Sequence, residues 1–446
     1  MAVGVCAVSR GSAPQGAFDG SRPGKPSGRP SQKHLYLLSR PTFWLVAGSA
    51  ALDPAGITGA AFPPHGAQFT AQVPQTETEA GRRAALSWQL TKSMRWSWSV
   101  ARGTRLRPLT LSAPKPMLPT AGLPFLTHLL SRIAAAGIEH VILGTSYKPA
   151  VFEAEFGDGS ALGLQIEYVT EEHPLGTGGG IANVAGKLRN DTAMVFNGDV
   201  LSGADLAQLL DFHRSNRADV TLQLVRVGDP RAFGCVPTDE EDRVVAFLEK
   251  TEDPPTDQIN AGCYVFERNV IDRIPQGREV SVEREVFPAL LADGDCKIYG
   301  YVDASYWRDM GTPEDFVRGS ADLVRGIAPS PALRGHRGEQ LVHDGAAVSP
   351  GALLIGGTVV GRGAEIGPGT RLDGAVIFDG VRVEAGCVIE RSIIGFGARI
   401  GPRALIRDGV IGDGADIGAR CELLSGARVW PGVFLPDGGI RYSSDV

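Results

Sequence analysis

The chain has 446 residues, 43% hydrophobic and 21% charged, enough for two or three domains with cores of their own. Its net charge of −6 is unevenly spread: residues 1–102 carry 11 Lys and Arg against 4 Asp and Glu, and the remainder carries 33 against 46. An acidic body excludes a nucleic-acid polymer as partner, which needs a broad basic face, but not a mononucleotide, which needs only a local one.

Taken in order, residues 1–93 are rich in Gly, Pro, Ser and Ala and lack sustained apolar periodicity, so residues 1–102 are expected to be disordered. Four of the six tryptophans (Trp44, Trp88, Trp96, Trp98) nonetheless fall there. The most apolar early run, 43–62, is broken by Asp53, Pro54 and several glycines and is not read as membrane-spanning. The six cysteines (Cys6, Cys235, Cys263, Cys296, Cys387, Cys421) show no paired spacing, which suits a reducing cytoplasm better than a disulfide framework or a zinc site.

Residues 103–119, GTRLRPLTLSAPKPMLP, are the densest stretch of Gly, Pro and cationic side chains. Gly103 and Thr104 make a turn, Arg105 and Arg107 follow, and Lys115 comes ten residues after Arg105, with Pro108, Pro114 and Pro116 stiffening the path. Such a loop suits a polyphosphate: glycine lets backbone N–H groups approach oxygens closely, Arg binds them in a fork and Lys supplies a point charge. A solvated cationic loop is the plainer alternative.

Downstream, residues 123–136 predict a helix, 138–144 a strand, 147–156 a helix and 164–170 a strand. A helix after Gly176, a strand over 192–196 and a helix over 204–216 continue the alternation, which gives an open α/β sheet with ligands at strand carboxyl ends. Asn197-Gly198-Asp199 ends one such strand and sets a carboxylate at the sheet edge. The segment EEHPLGT, 171–177, ends another. Guanine presents N1–H and N2–H donors side by side and adenine does not, so Glu171 or Glu172 is a reasonable purine reader; a charged surface turn is the alternative. His173 is left facing solvent. A strand over 244–248 leads into Glu249-Lys250, Asn260 to Gly262 opens the next strand, and 281–288 and 313–325 read as helices.

The loop at 103–119 resembles the signature of the sugar-phosphate nucleotidyltransferases, G-G-x-G-T-R-L-x-P-L-T-x-x-x-P-K-P, from Gly103 onward. The resemblance continues through PLGTGG (174–179), FNGDVL (196–201), FLEK (247–250), INAGCYVF (259–266), SVEREVFP (281–288) and YWRDMGTPEDF (306–316). In that order the set is most similar to the mannose-1-phosphate guanylyltransferases. It implies a Rossmann-like nucleotidyltransferase sheet over 103–326, a linker over 327–343 and a second domain over 344–446. The implied reaction moves a nucleotidyl group, GMP, from an NTP to a sugar 1-phosphate, mannose 1-phosphate, and releases pyrophosphate. By the same resemblance Arg105 and Lys115 hold the triphosphate, and Gly103, Thr104, Glu171, Glu172, Gly176 and Thr177 hold the nucleotide. Asp199 and Asp309 bind Mg²⁺, while Gly234, Glu249, Lys250, Asn260 and Gly262 take the sugar phosphate. A transferase using UTP, ATP or dTTP, and a catalytically silent nucleotide-sugar-binding subunit, remain as alternatives.

One departure from the family pattern is large. The turn should follow a buried apolar strand and two glycines, but 94–102 read MRWSWSVAR. Codons for that segment read one base earlier permit Asp-Ala-Val-Val-Leu-Val-Gly-Gly-Lys, an apolar strand running into glycines. The expectation is therefore a one-base frame change just before Gly103 that replaced the first strand.

From Val348, aliphatics recur every six residues through Leu354, Val360, Ile366 and Leu372, after which triplets such as Ile377/Val383/Ile389 repeat every seventeen. Three six-residue sides less one corner residue describe a parallel β-helix with inward aliphatics stacked from coil to coil. Its resemblance to hexapeptide-repeat proteins implies a left-handed coil. Because no histidine follows His343, an acetyltransferase base is missing, and the repeat reads as structural, joining copies of the chain into a homo-oligomer.

Overall fold

A computed structural model describes Val3–Val8, Leu45–Ala47 and residues 104–145, 149–333 and 335–442. The segment 94–102, to which the frame change was assigned, lies outside the described residues, as does Gly103.

Two leader strands are described, β1 (Val3–Val8) and β2 (Leu45–Ala47), apolar runs too short to show as periodicity. The turn Thr104–Leu106 opens the signature stretch, and the small hairpin β3 (Pro119–Thr120) and β4 (Leu123–Pro124) closes it. There follow α1 (Phe125–Ala135), β5 (His140–Thr145), α2 (Pro149–Phe156), β6 (Gln165–Thr170), α3 (Gly176–Val184), β7 (Thr192–Asn197), β8 (Val200–Ser202) and α4 (Leu206–Ser215). All six residues of β5 are buried, as expected of a strand covered on both faces, and Asp205 caps α4 by accepting from the N–H groups of Ala207 and Gln208.

The second half is mixed in direction. β9 (Val220–Arg226), β10 (Gly234–Cys235), β11 (Leu248–Glu249) and β12 (Gln258–Glu267) precede α5 (Arg268–Ile271), a π-helical turn over Val282–Val286, α6 (Phe287–Asp293), β13 (Ile298–Val302), β14 (Trp307–Asp309) and α7 (Pro313–Val324). β12 runs antiparallel to both β7 and β9, and its register shifts between Asn260 and Tyr264. Two expectations change here. The strand read at 244–248 is reduced to Leu248–Glu249, because Val244, though it bridges Thr238 and bonds the Ile298 carbonyl, continues into no ladder. The helix read at 281–288 is a π-helical turn followed by α6, with Pro288 early in α6 where its missing N–H costs least.

On the other side of the sheet, β5 pairs parallel with β6. Between β5 and β7 come the leader strands: β1 is antiparallel to β7, with Val3 opposite Asn197, and β2 is parallel to β5. One apolar layer forms on the face covered by α3 and α6, and the other on the face covered by α1, α2 and α4.

The repeat folds into three six-stranded parallel sheets. Its first strand is Gln340–Val342, inside the stretch read as linker. Successive coils are spaced by 17 residues in the middle and by 18 at either end, as in Leu341 opposite Val359 and Val410 opposite Arg428. Val360, Ile377, Ile394 and Ile411 stack inward, while their neighbours Val359, Val376, Ile393 and Val410 face outward and join Leu106, Leu109, Phe125, Met310 and Phe316 in a separate apolar cluster. The solenoid thus docks on the signature loop and on α7. At Gly357 a Cβ would stand 2.7 Å from the Cα of Ala321, so glycine permits that approach.

Ile394 is fully buried between Ile377 and Ile411. Ile394→Ala should destabilise the solenoid by about 2–5 kcal/mol, read as an earlier unfolding transition in urea.

Candidate active site

Three side chains that are far apart in the sequence meet at one point. Lys115 lies on a short helical turn between Pro114 and Pro116, which fix its backbone, and it is only 7% exposed. Its ammonium group donates to Asp199 Oδ2 at 2.8 Å and lies 3.7 Å from Asp309 Oδ1. Asp199, 4% exposed, sits in the turn from β7 to β8. β8 pairs antiparallel with β14, placing Asp309 opposite Val200, and the Met310 N–H donates to the Asp199 carbonyl. The two carboxylates are therefore fixed by one two-stranded ribbon.

Asp309 is pushed up to about 6, first by burial and then by the charge of Asp199, against the opposing pull of Lys115 and Arg105. Arg105 reaches the same place from the Thr104–Leu106 turn. A Cβ on Gly311 would lie 2.7 Å from Arg105 Nη2 and 3.0 Å from Asp309 Oδ2, so glycine is what lets the guanidinium come in. One ammonium and one guanidinium thus face two carboxylates.

The purine-reading alternatives separate. Glu172 is exposed, whereas Glu171 is 4% exposed, and burial pushes its carboxyl up to about 7. Its Oε2 accepts from the Leu175 N–H at 3.4 Å, and its Oε1 has no partner among the described residues. His173 is exposed, as read. Gly176 has φ +69°, and a Cβ there would meet the Val280 carbonyl at 2.6 Å. Thr177 does not face open space: its hydroxyl donates to Glu283 Oε2 at 2.7 Å and accepts from the Val282 N–H, tying α3 to the π-helical turn.

The sugar-phosphate set lies along the neighbouring edge. Glu249 and Lys250 are 3.8 Å apart, and burial followed by the charge of Glu283 raises the Glu249 carboxyl. A Cβ on Gly234 would meet Glu249 Oε2 at 3.0 Å, and one on Gly262 would meet Asn197 Nδ2 at 2.7 Å. Asn260 is spent locally, donating to the Tyr264 hydroxyl and accepting from the Gly262 N–H, which stabilises the shift in β12. Trp307, two residues before Asp309, donates to the Ala261 carbonyl and joins this edge to the carboxylate ribbon.

Two residues that build the site were given no role by the sequence reading. Glu283 accepts from the Thr177 hydroxyl and its charge raises the Glu249 carboxyl; its segment, SVEREVFP, carried the family resemblance, but nothing in it singled out this residue. Arg132, half-buried on α1, donates to the Ser202 carbonyl and supports β8 from behind; it carried no signal, being one cation on an amphipathic helix.

Comparison with known proteins follows the same division of the chain. The nucleotidyl transferase family matches residues 101–326, and the family described as the GMPPB C-terminal domain matches 336–437. The chain belongs to the nucleotidyl transferase family. Among relatives of this nucleotidyl transferase, the probable mannose-1-phosphate guanylyltransferase 1 of Oryza sativa subsp. japonica is 35% identical over 294 residues, 63% of this chain and 80% of its own. Mannose-1-phosphate guanylyltransferase 1 of Arabidopsis thaliana is 33% identical over the same shares. The catalytic subunit beta of Drosophila pseudoobscura pseudoobscura is 33% identical over 60% of this chain and 69% of its own.

The raised Glu171 carboxyl has a pH signature. Its folded value of about 7 exceeds the ordinary 4.5, so the fold keeps a proton that the unfolded chain gives up. The resulting stability is fully present below pH 4.5 and is lost as pH rises through 7. Glu171→Gln abolishes that loss. Denaturation at a series of pH values should show the variant gaining on wild type by up to about 3 kcal/mol between pH 5 and 8.

Proposed function

We propose that this nucleotidyl transferase moves GMP from GTP to mannose 1-phosphate, giving GDP-mannose and pyrophosphate. The observation that carries the reading is the meeting of Lys115, Asp199 and Asp309 beside Arg105; the names of the relatives supply the substrates. A phosphate oxygen of the sugar 1-phosphate attacks the α-phosphorus in line. The new P–O bond forms as the bond from that phosphorus to the oxygen bridging to the β-phosphorus breaks, and pyrophosphate leaves with the electron pair. Catalysis of this kind is mostly positioning and charge stabilisation.

Arg105 and Lys115 hold the triphosphate charge in this reading, and Lys250, on the sugar-phosphate edge, holds the attacking phosphate. Asp199 and Asp309 form a donor set suited to Mg²⁺: two hard oxygen ligands on one rigid ribbon, with room in the coordination shell for phosphate oxygens and waters. Oxygens of both carboxylates converge on one point, 2.8 Å and 3.7 Å from the Lys115 ammonium, which supports that fit. Bound there, Mg²⁺ would neutralise phosphate oxygens and align them.

Glu171 is assigned the guanine edge, its unpartnered Oε1 accepting from the base. Among the described residues no helix is long and apolar enough to cross a membrane. Cys235, Cys263, Cys296, Cys387 and Cys421 are free thiols, as suits a reducing cytoplasm.

The test is pyrophosphate release from mannose 1-phosphate with GTP, UTP, ATP or dTTP in turn. GTP should lead by at least about tenfold, equivalent to about 1.4 kcal/mol in transition-state binding, and Glu171→Gln should erase most of that lead. Asp199→Asn should cut kcat by about a hundredfold or more in a chain that still folds, as far-UV circular dichroism would show. Full turnover in Asp199→Asn would remove the metal role, and a lead for another nucleotide would reassign the base.

A further inference from the structure

The outward column of the solenoid sheet that meets the catalytic domain is aliphatic for five coils: Leu341, Val359, Val376, Ile393 and Val410 occupy one register position. In the sixth coil the position opposite Val410 is Arg428. Four of those aliphatics are fully buried in the cluster that contains Leu106 and Leu109, so a sixth would be the simplest continuation. Arg428 instead extends its guanidinium to the signature loop, and its Nη1 donates to the Arg107 carbonyl at 2.8 Å.

That carbonyl belongs to the turn that carries Arg105. The Arg107 N–H closes the turn onto the Thr104 carbonyl at 3.1 Å, and Leu106 and Leu109 pin it from below. Arg105 is exposed but ends against Gly311 and Asp309. A charge-assisted bond to the Arg107 carbonyl adds a fixed point on this turn from the solenoid side, two residues from Arg105.

We propose that Arg428 is a positioning residue for the triphosphate loop: from the last full coil of the solenoid it holds the Arg107 carbonyl and thereby sets Arg105 in the site. The inference rests on the reading that this loop binds the triphosphate. It also gives the solenoid a part in catalysis, since removing this contact leaves both domains folded and misplaces one cation.

The experiment compares wild type, Arg428→Ala and Arg428→Lys as full chains. In Arg428→Ala the KM for GTP should rise about five- to tenfold while the KM for mannose 1-phosphate stays within twofold, and Arg428→Lys, which keeps a charged donor, should recover at least half of the loss. Amide hydrogen exchange over 104–111 should speed up in Arg428→Ala and return towards wild type in Arg428→Lys, with 313–324 unchanged. Unchanged exchange over 104–111, or a rise of both KM values together, overturns the role. If wild type releases no pyrophosphate with any nucleotide, the functional reading falls by itself. The exchange data then decide this inference alone: faster exchange supports it and unchanged exchange overturns it.

Discussion

One ammonium group held between two carboxylates organises the catalytic half of the molecule. Lys115 and Asp199 are both nearly buried, and a buried ion pair adds little net stability once desolvation is counted. What the pair secures is placement. Lys115 comes from a proline-bounded turn, Asp199 from the end of a central strand and Asp309 from a strand more than a hundred residues later, and the contact holds all three within bonding range. Two carboxylates face the ammonium and the more exposed guanidinium of Arg105, and Asp309 is raised first by its burial and then by the charge of Asp199. Such a cluster offers carboxylate oxygens to a cation and cationic side chains to phosphate, which is what joining two anions requires.

The second constraint is the seam between the domains. Catalytic loops usually stand on a rigid scaffold, and here the scaffold under the signature turn is partly the solenoid. Leu106 and Leu109 share a buried apolar cluster with Val376, Ile393 and Val410, and His343 Nε2 donates to the Ala121 carbonyl at 3.1 Å. α7, which begins just after Asp309, touches the solenoid backbone at Gly357. The signature turn and α7 thus share one apolar cluster with the same outward column of the solenoid.

Much of this was legible in the residues. The alternation of strands and helices from 123 to 216 needed only periodicity and turn residues, and boundaries moved by a residue or two, because caps such as Asp205 sit just outside the apolar pattern. The solenoid was legible from its six-residue spacing, since inward aliphatics have no freedom to drift. The meeting of Lys115, Asp199 and Asp309 depended on a family pattern, because nothing local in YWRDMGT says which distant strand it will join. What stayed hidden has a common cause. Glu283, Arg132 and Arg428 act through long-range hydrogen bonds from elements whose local sequence already has an adequate explanation, and Asn260 looked available only because its bonds to Tyr264 and Gly262 depend on a register shift in β12.

The place between β5 and β7 shows how strongly a sheet dictates what must fill it. Every residue of β5 and the middle four of β7 are buried, so the backbone N–H and C=O groups on their facing edges cannot turn to water and must find strand partners. The leader supplies β1 against one edge and β2 against the other. Their directions are not equivalent. β1 starts beside Asn197 and runs away from the carboxylate ribbon, whereas β2 runs with β5 and ends opposite Thr145, the end of the sheet from which Glu171 and Asp199 project. The two strands thus satisfy the facing edges in opposite directions, β1 antiparallel to β7 and β2 parallel to β5.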